Sequence, residues 1–107
     1  MENKKKWIVE FESLANRELK KLKKKQPKLR RAILDEVKKL KEDPLMGEEL
    51  KGDLAGYRKL KVKYQSNNYR IAYKIIDNEV LIVIVKVDVR ENFYKKLRLY
   101  LKLKKYQ

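Results

Sequence analysis

The chain has 107 residues, 43% of them hydrophobic, and carries 30 Lys and Arg against 15 Asp and Glu, a formal net charge of +15. One domain spanning 1–107 with a real apolar core is expected from that length, and the charge predicts attraction to polyanions, nucleic acid above all. Cysteine and histidine are both absent; this excludes a disulfide framework, thiolate or imidazole metal sites and a histidine base, and with no apolar run long enough for a signal peptide or a membrane span, a soluble cytoplasmic protein without a membrane partner is expected.

In chain order, Trp7-Ile8-Val9-Glu10-Phe11 reads as a short strand. Ser13 is a candidate helix cap, and Ala15, Leu19 and Leu22 then recur at helical spacing to about Lys25. Pro27 suits the first turn of a second helix, whose apolar stripe is Leu29, Ile33, Val37 and Leu40 and which ends before Asp43-Pro44. Two antiparallel helices joined by a tight turn follow from this. The three glycines mark a loop over 47–56. Three strands are predicted at about Arg58–Tyr64, Tyr69–Ile76 and Glu79–Val87, with turns at "QSNN" and at Asp77-Asn78, where both residues tolerate positive φ. Val80–Val85 is apolar on both faces and belongs in the middle of a sheet. From Glu91 a basic tail over 91–107 reads as a helix with Phe93, Leu97, Tyr100 and Leu101 on one side. The fold class is α+β: an N-terminal strand, an α-hairpin, then a three-stranded antiparallel meander completing a mixed four-stranded sheet in the order β-α-α-β-β-β, with a C-terminal helix. The hairpin covers one sheet face, and the other is open or partly covered by the tail.

The basic residues are unevenly placed. Leu54–Ile76 contains no acid but holds Arg58, Lys59, Lys61, Lys63, Arg70 and Lys74. Side chains alternate across a strand, so Leu60, Val62 and Tyr64 face the core and Lys59, Lys61 and Lys63 form a row on the open face. Arg70, Ala72 and Lys74 share one side of the next strand, with the small Ala72 leaving room. "VDVRENFY" delivers Arg90 and, one helical turn on, Tyr94. Lys59, Lys61, Arg70, Arg90 and Tyr94 thus point to one concavity. Periodicity alone favours an anion-binding face over catalysis. The eight basic residues among Lys20–Arg31 on the helix hairpin read first as a solvated helix end adding salt-sensitive attraction to phosphate.

Cations and a phenol, without histidine, a carboxylate pair or metal ligands, suit RNA cleavage by attack of the 2′-OH on the adjacent phosphate. The substrate brings its own nucleophile. Arginine clamps the phosphoryl oxygens, a lysine lowered by neighbouring cations serves as base or acid, and tyrosine orients the 2′-OH or stacks on a base. No cofactor, metal or small-molecule ligand is called for. Asp53, Asp77, Asp88 and Glu91 do not sit at ligand spacing on one element, and Asp77 and Asp53 read as turn and loop residues.

"WIVEF", the helical hairpin, "LKGDLAGYRKLKV", "NYRIAYKIIDNEVLIVIVKV" and the closing "VR…Y" resemble the RelE/ParE toxin superfamily over nearly the whole chain through Tyr94. The resemblance implies a small cytoplasmic toxin of a type II toxin–antitoxin system, neutralised by a RelB-like antitoxin. On the RelE branch it implies a ribosome-dependent endoribonuclease acting on mRNA in the A site beside ribosomal RNA. Carried over by position, it gives Lys59 and Lys61 as paired strand lysines, one a general base. Arg70 holds the scissile phosphate, Arg90 serves phosphate stabilisation or leaving-group protonation, and Tyr94 stacks and orients the 2′-OH. Arg58, Lys63 and Lys74 are expected RNA contacts on the same surface. Asp88-Val89 departs from the pattern of many relatives, and Asp88 is a candidate partner for Arg90. A second class, the non-enzymatic gyrase inhibitor of the ParE branch, leaves the five-residue set unexplained. A third, a basic RNA-binding module without cleavage, would stack bases on exposed sheet aromatics, whereas Tyr64, Tyr69 and Tyr73 fall on the core side.

Overall fold

Alternation becomes strand wherever one face can be buried, and each alternating run of the sequence does so here. The computed structural model of the chain describes residues 6–89 and 92–104. β1 (Ile8–Phe11) leads into α1 (Ser13–Lys25) and α2 (Pro27–Glu42); β2 (Glu48–Glu49), β3 (Arg58–Tyr64), β4 (Asn67–Ile76) and β5 (Leu81–Val89) follow, and α3 (Phe93–Lys104) ends the described chain. The sheet order is β1-β5-β4-β3-β2. β1 runs parallel to β5 and the other pairs are antiparallel. The glycine-rich loop therefore contributes a fifth strand, the two-residue β2, beside the expected four.

Helices lie on both faces. α1 and α2 bury Ala15, Leu19, Leu29, Ile33 and Leu40 against Leu60, Val62, Ile71, Tyr73, Ile82 and Ile84. On the other face α3 sets the fully buried Phe93 and Leu97 on Ala72, Val83 and Val85. Each such large side chain contributes about 1.5–3 kcal/mol. Val80–Val85 is apolar on both faces because β5 is covered on both. Tyr69 and Tyr73 are buried under the hairpin and Tyr64 packs beside them.

Two local expectations give way. Ser13 is the first helical residue rather than the cap, and Glu12 holds the cap position in extended geometry (φ −72°, ψ 163°) without a side-chain cap bond. The Glu12 carboxylate is engaged elsewhere: Tyr100 donates to it at 2.8 Å and the Lys104 ammonium also reaches it. Burial works against ionisation of Glu12, but the Lys104 and Tyr100 bonds prevail and hold its carboxyl below the usual range. The second concerns Asp77-Asn78. The reversal is a four-residue loop, with a 3₁₀ turn over Asp77–Glu79 and Val80, not Asp or Asn, in the left-handed region at φ 51°. Ile76 pairs directly with Leu81, so four residues must close the turn, and its last position takes positive φ whatever its side chain.

The loop after α2 is fastened to the sheet from the helix side. Tyr73 donates its hydroxyl to the Pro44 carbonyl (2.7 Å) and accepts the Gly47 N–H (2.9 Å). Arg58 donates to the Gly47 carbonyl at 2.9 and 3.2 Å. Gly47 is required by closeness: a Cβ there would lie 2.7 Å from Tyr73 Cε1 and 2.8 Å from the Lys59 carbonyl oxygen. Gly47→Ala is expected to lower stability by about 1–3 kcal/mol, read as a shift of the urea midpoint, because neither backbone nor buried ring can retreat.

Candidate active site

β3 and β4 pair so that Lys61 lies opposite Arg70 and Lys59 opposite Ala72. Lys59, Lys61 and Lys63 alternate away from the buried Leu60 and Val62, on the face that α3 covers only over β4 and β5. The first turn of α3 brings Tyr94 to the uncovered border. Its ring is flanked by two cations: Lys59 Nζ and Arg70 Cζ each lie 5.7 Å from the ring centroid. Phe93, edge-on to Tyr94 at 5.3 Å and fully buried, fixes that turn. Ala72, without volume, lets α3 approach the strand here.

Lys59 is largely covered, with 16% of its side chain exposed, and its ammonium lies 3.2 Å from Glu48 Oε1. The Tyr94 hydroxyl does most to hold this ammonium above the usual lysine range; partial burial pulls the other way, and Glu48 adds to the rise. Both contacts favour the charged form of Lys59. Arg70 is half-buried and its Nε is enclosed with no acceptor among the described residues. A buried donor left unpaired costs about 1–3 kcal/mol, which is tolerated where a guest supplies the acceptor.

The other sequence-derived residues fall as follows. Lys61 is exposed beside Arg70, and Lys63 is exposed further along the same row. Arg58 alternates to the opposite face, where its guanidinium holds the Gly47 and Leu45 carbonyls. Lys74 stands 5.8 Å from the Tyr57 ring and borders a groove beneath α3 with Asp53 and Arg98. Neither is brought to the Tyr94 cluster. Arg90 lies outside the described residues, and with it the expected Asp88–Arg90 pair.

The sequence reading did not single out Glu48 or a buried ion cluster on β5. Lys86, 2% exposed, is 2.5 Å from Glu18 of α1 and 3.2 Å from Asp88, and Asp88 is also 3.8 Å from Lys96 of α3. Asp88 pairs across the sheet with Arg70, so this cluster ties α1 and α3 to the strand beside the site. Its signal was a lone lysine within the apolar run of β5. Two grooves of about 770 Å³ border α3, and Lys59, Arg70 and Tyr94 line neither. No three carboxylates cluster as metal ligands among the described residues, and no helix there is long and apolar enough to cross a membrane.

The sequence profile of the ParE-like toxins of type II bacterial toxin–antitoxin systems matches residues 9–98. The chain belongs to that family. A solved relative agrees in sequence and fold: in the RelBE2 toxin–antitoxin complex of Mycobacterium tuberculosis the matched chain is 31% identical, with a TM-score of 0.63 over 78% of this chain and 98% of that one. Free Escherichia coli RelE (a mutant form) matches at 23% identity and TM-score 0.68 over 84% and 90% of the two chains, and Staphylococcus aureus YoeB at 21% and 0.63 over 80% and 99%. Comparison with curated proteins gives no match. The toxin thus stands in the RelE/ParE superfamily on its RelE-type branch.

Proposed function

We propose that this toxin is a metal-independent endoribonuclease that cuts mRNA in the ribosomal A site. The observation that carries the reading is the Tyr94 ring held between Lys59 and Arg70, with the Arg70 Nε buried and unpaired among the described residues. A bridging phosphate seated there would give Arg70 its missing acceptor. The 2′ oxygen attacks phosphorus while Lys61, exposed and opposite Arg70, takes the 2′ proton. Arg70 and the Lys59 ammonium hold the charge gathering on the phosphoryl oxygens. The P–O5′ bond breaks, and the leaving 5′ oxygen takes a proton from Lys59 or, as the family resemblance implies, from Arg90. Products are a 2′,3′-cyclic phosphate and a 5′-hydroxyl. Tyr94 stacks on a base or orients the 2′-OH. The partner that silences the toxin is a RelB-like antitoxin, since similar chains were solved in RelBE complexes.

The gyrase-inhibitor alternative is not favoured: the similar chains are RelE and YoeB toxins, and gyrase binding leaves the cationic cluster without a use. Mapping transcript 5′ ends after brief induction tests the proposal. Clustered breaks inside codons of translated messages are expected; intact messages with broken chromosomes would overturn it.

A further inference from the structure

A partly exposed tyrosine with a lysine over its ring occurs twice on the face that carries Tyr94. The second instance is Tyr57, whose ring centroid lies 5.8 Å from Lys74 Nζ. It belongs to the groove of about 770 Å³ beside α3, which Leu54, Arg98, Leu101 and Lys102 also line. The cleavage proposed above leaves that groove without a use.

Two periodicities make the groove a continuation of the cationic cluster. On the strand side, the Leu50 N–H donates to the Tyr57 carbonyl at 2.9 Å, which carries the β2–β3 ladder one pair past Glu49 and Arg58. Tyr57 therefore shares a face with Lys59, two residues on, and Lys74 shares that face with Ala72 and Arg70. On the helix side, Tyr94, Arg98 and Leu101 recur at i, i+4 and i+7 and form one stripe of α3. Two strand residues advance about 7 Å and four helix residues about 6 Å. Both steps are the length of one sugar–phosphate repeat in an extended strand.

The chemistry of the groove fits an unpaired nucleotide. Asp53, at the rim, is held by Arg98 Nε at 3.1 and 3.0 Å from its two oxygens. Lys74 and Lys102 form no ion pair among the described residues, so their charge is left for a guest. Tyr57 packs on the buried cluster that includes Leu54 and keeps part of its surface exposed. A ring for the base beside ammonium groups for the phosphate is how single strands are bound without regard to sequence. A duplex, whose bases are already stacked and paired, has no base to offer the ring.

We propose that the Tyr57–Lys74 groove is a second nucleotide subsite for single-stranded RNA, one nucleotide along the strand from the position at Tyr94. Tyr57 stacks the base, and Lys74 with Lys102 holds its phosphate. That the strand is message rests on the proposed cleavage; the capture of an unpaired nucleotide does not.

The test is the fluorescence anisotropy of a labelled 2′-O-methyl RNA of about six nucleotides, which has no free 2′-OH and cannot be cut, titrated with the full chain across a salt series. Tyr57→Leu is expected to weaken binding about tenfold, and Tyr57→Phe, which keeps the ring, to restore it to within about twofold of the parent. Lys74→Gln is expected to weaken binding about threefold and to lower the salt slope by about 0.7. The control Lys38→Gln, of equal net charge on α2, is expected to lose about 1.5-fold or less. Thermal unfolding checks each variant; should Tyr57→Leu fail to fold, Lys74→Gln, which changes a partly exposed side chain, decides. Parent-like binding by either folded variant overturns the proposal, as does an equal loss in the Lys38→Gln control. A loss by Tyr57→Leu of the same size on duplex RNA overturns stacking on an unpaired base. AMP bound as tightly as the oligonucleotide, with the same dependence on Tyr57, makes the groove a free-nucleotide site and overturns the strand. Cleavage is not read here, so failure of this test leaves the cleavage proposal standing, and failure of that proposal leaves the groove measurable.

Discussion

Arg70→Ala is expected to lower message cleavage in a translation extract by about 10²–10³-fold while leaving antitoxin binding and the fold intact. The guanidinium is anchored between the Tyr94 ring, 5.7 Å away, and the strand that carries Asp88. Its Nε meets no acceptor among the described residues. Deletion therefore removes a contact that matters when a phosphate is present. It also relieves an unpaired buried donor while losing a cation–π contact, and these two effects are of similar size, about 1 kcal/mol each. Stability should stay near that of the parent. Arg70→Lys keeps the charge but not the planar fork and should recover only a minor part of the rate. Cleavage by Arg70→Ala at close to the parent rate, counted as 2′,3′-cyclic phosphate ends, would sink the assignment.

Glu18→Ala is expected to be the most damaging single change to stability away from the apolar core. One carboxylate oxygen lies 2.5 Å from the Lys86 ammonium and the other accepts the Val87 N–H at 2.9 Å. β1 pairs with β5 only as far as Ile84, so Glu18 serves the strand edge that β1 has left. Burial pushes the Glu18 carboxyl up, and the bonds from Lys86 and Val87 act against that rise. Removing Glu18 leaves a buried ammonium with Asp88 as its remaining ion-pair partner among the described residues and an edge N–H without its acceptor. The expected loss is about 3 kcal/mol, or roughly 10–20 °C in Tm for a chain of this size. Changing both partners together, Glu18→Ala with Lys86→Met, should restore much of it, because an apolar replacement does not need the counter-charge. A double variant as unstable as Glu18→Ala would show that the strand edge, not the buried charge, is decisive.

The two residues differ in how they could be read from the sequence. Arg70 was visible because alternation is local: "NYRIAY" assigns it a face, and the family pattern a role. Nothing in the basic run around Glu18, or in "IVIVKV" around Lys86, joins the two. Their partnership spans 68 positions and exists only once α1 lies along β5. Lys59 shows the same divide. Its place in the lysine row follows from period-two spacing. The upward push on its ammonium comes from Tyr94 and then Glu48, which belong to α3 and to a two-residue strand.

Local periodicity, glycine placement and charge spacing were enough to establish the α-hairpin, the meander, the acid-free lysine face and the family resemblance, because each depends on neighbours within a few positions. Tertiary packing alone decided that Arg58 holds a loop and Lys74 lies against Tyr57 under α3. It also decided that Lys59 and Arg70 close on one phenol and that a buried ion cluster stands beside the site. Those outcomes depend on which distant side chains share a dielectric and a few ångströms of space, and no short stretch of the chain contains that information.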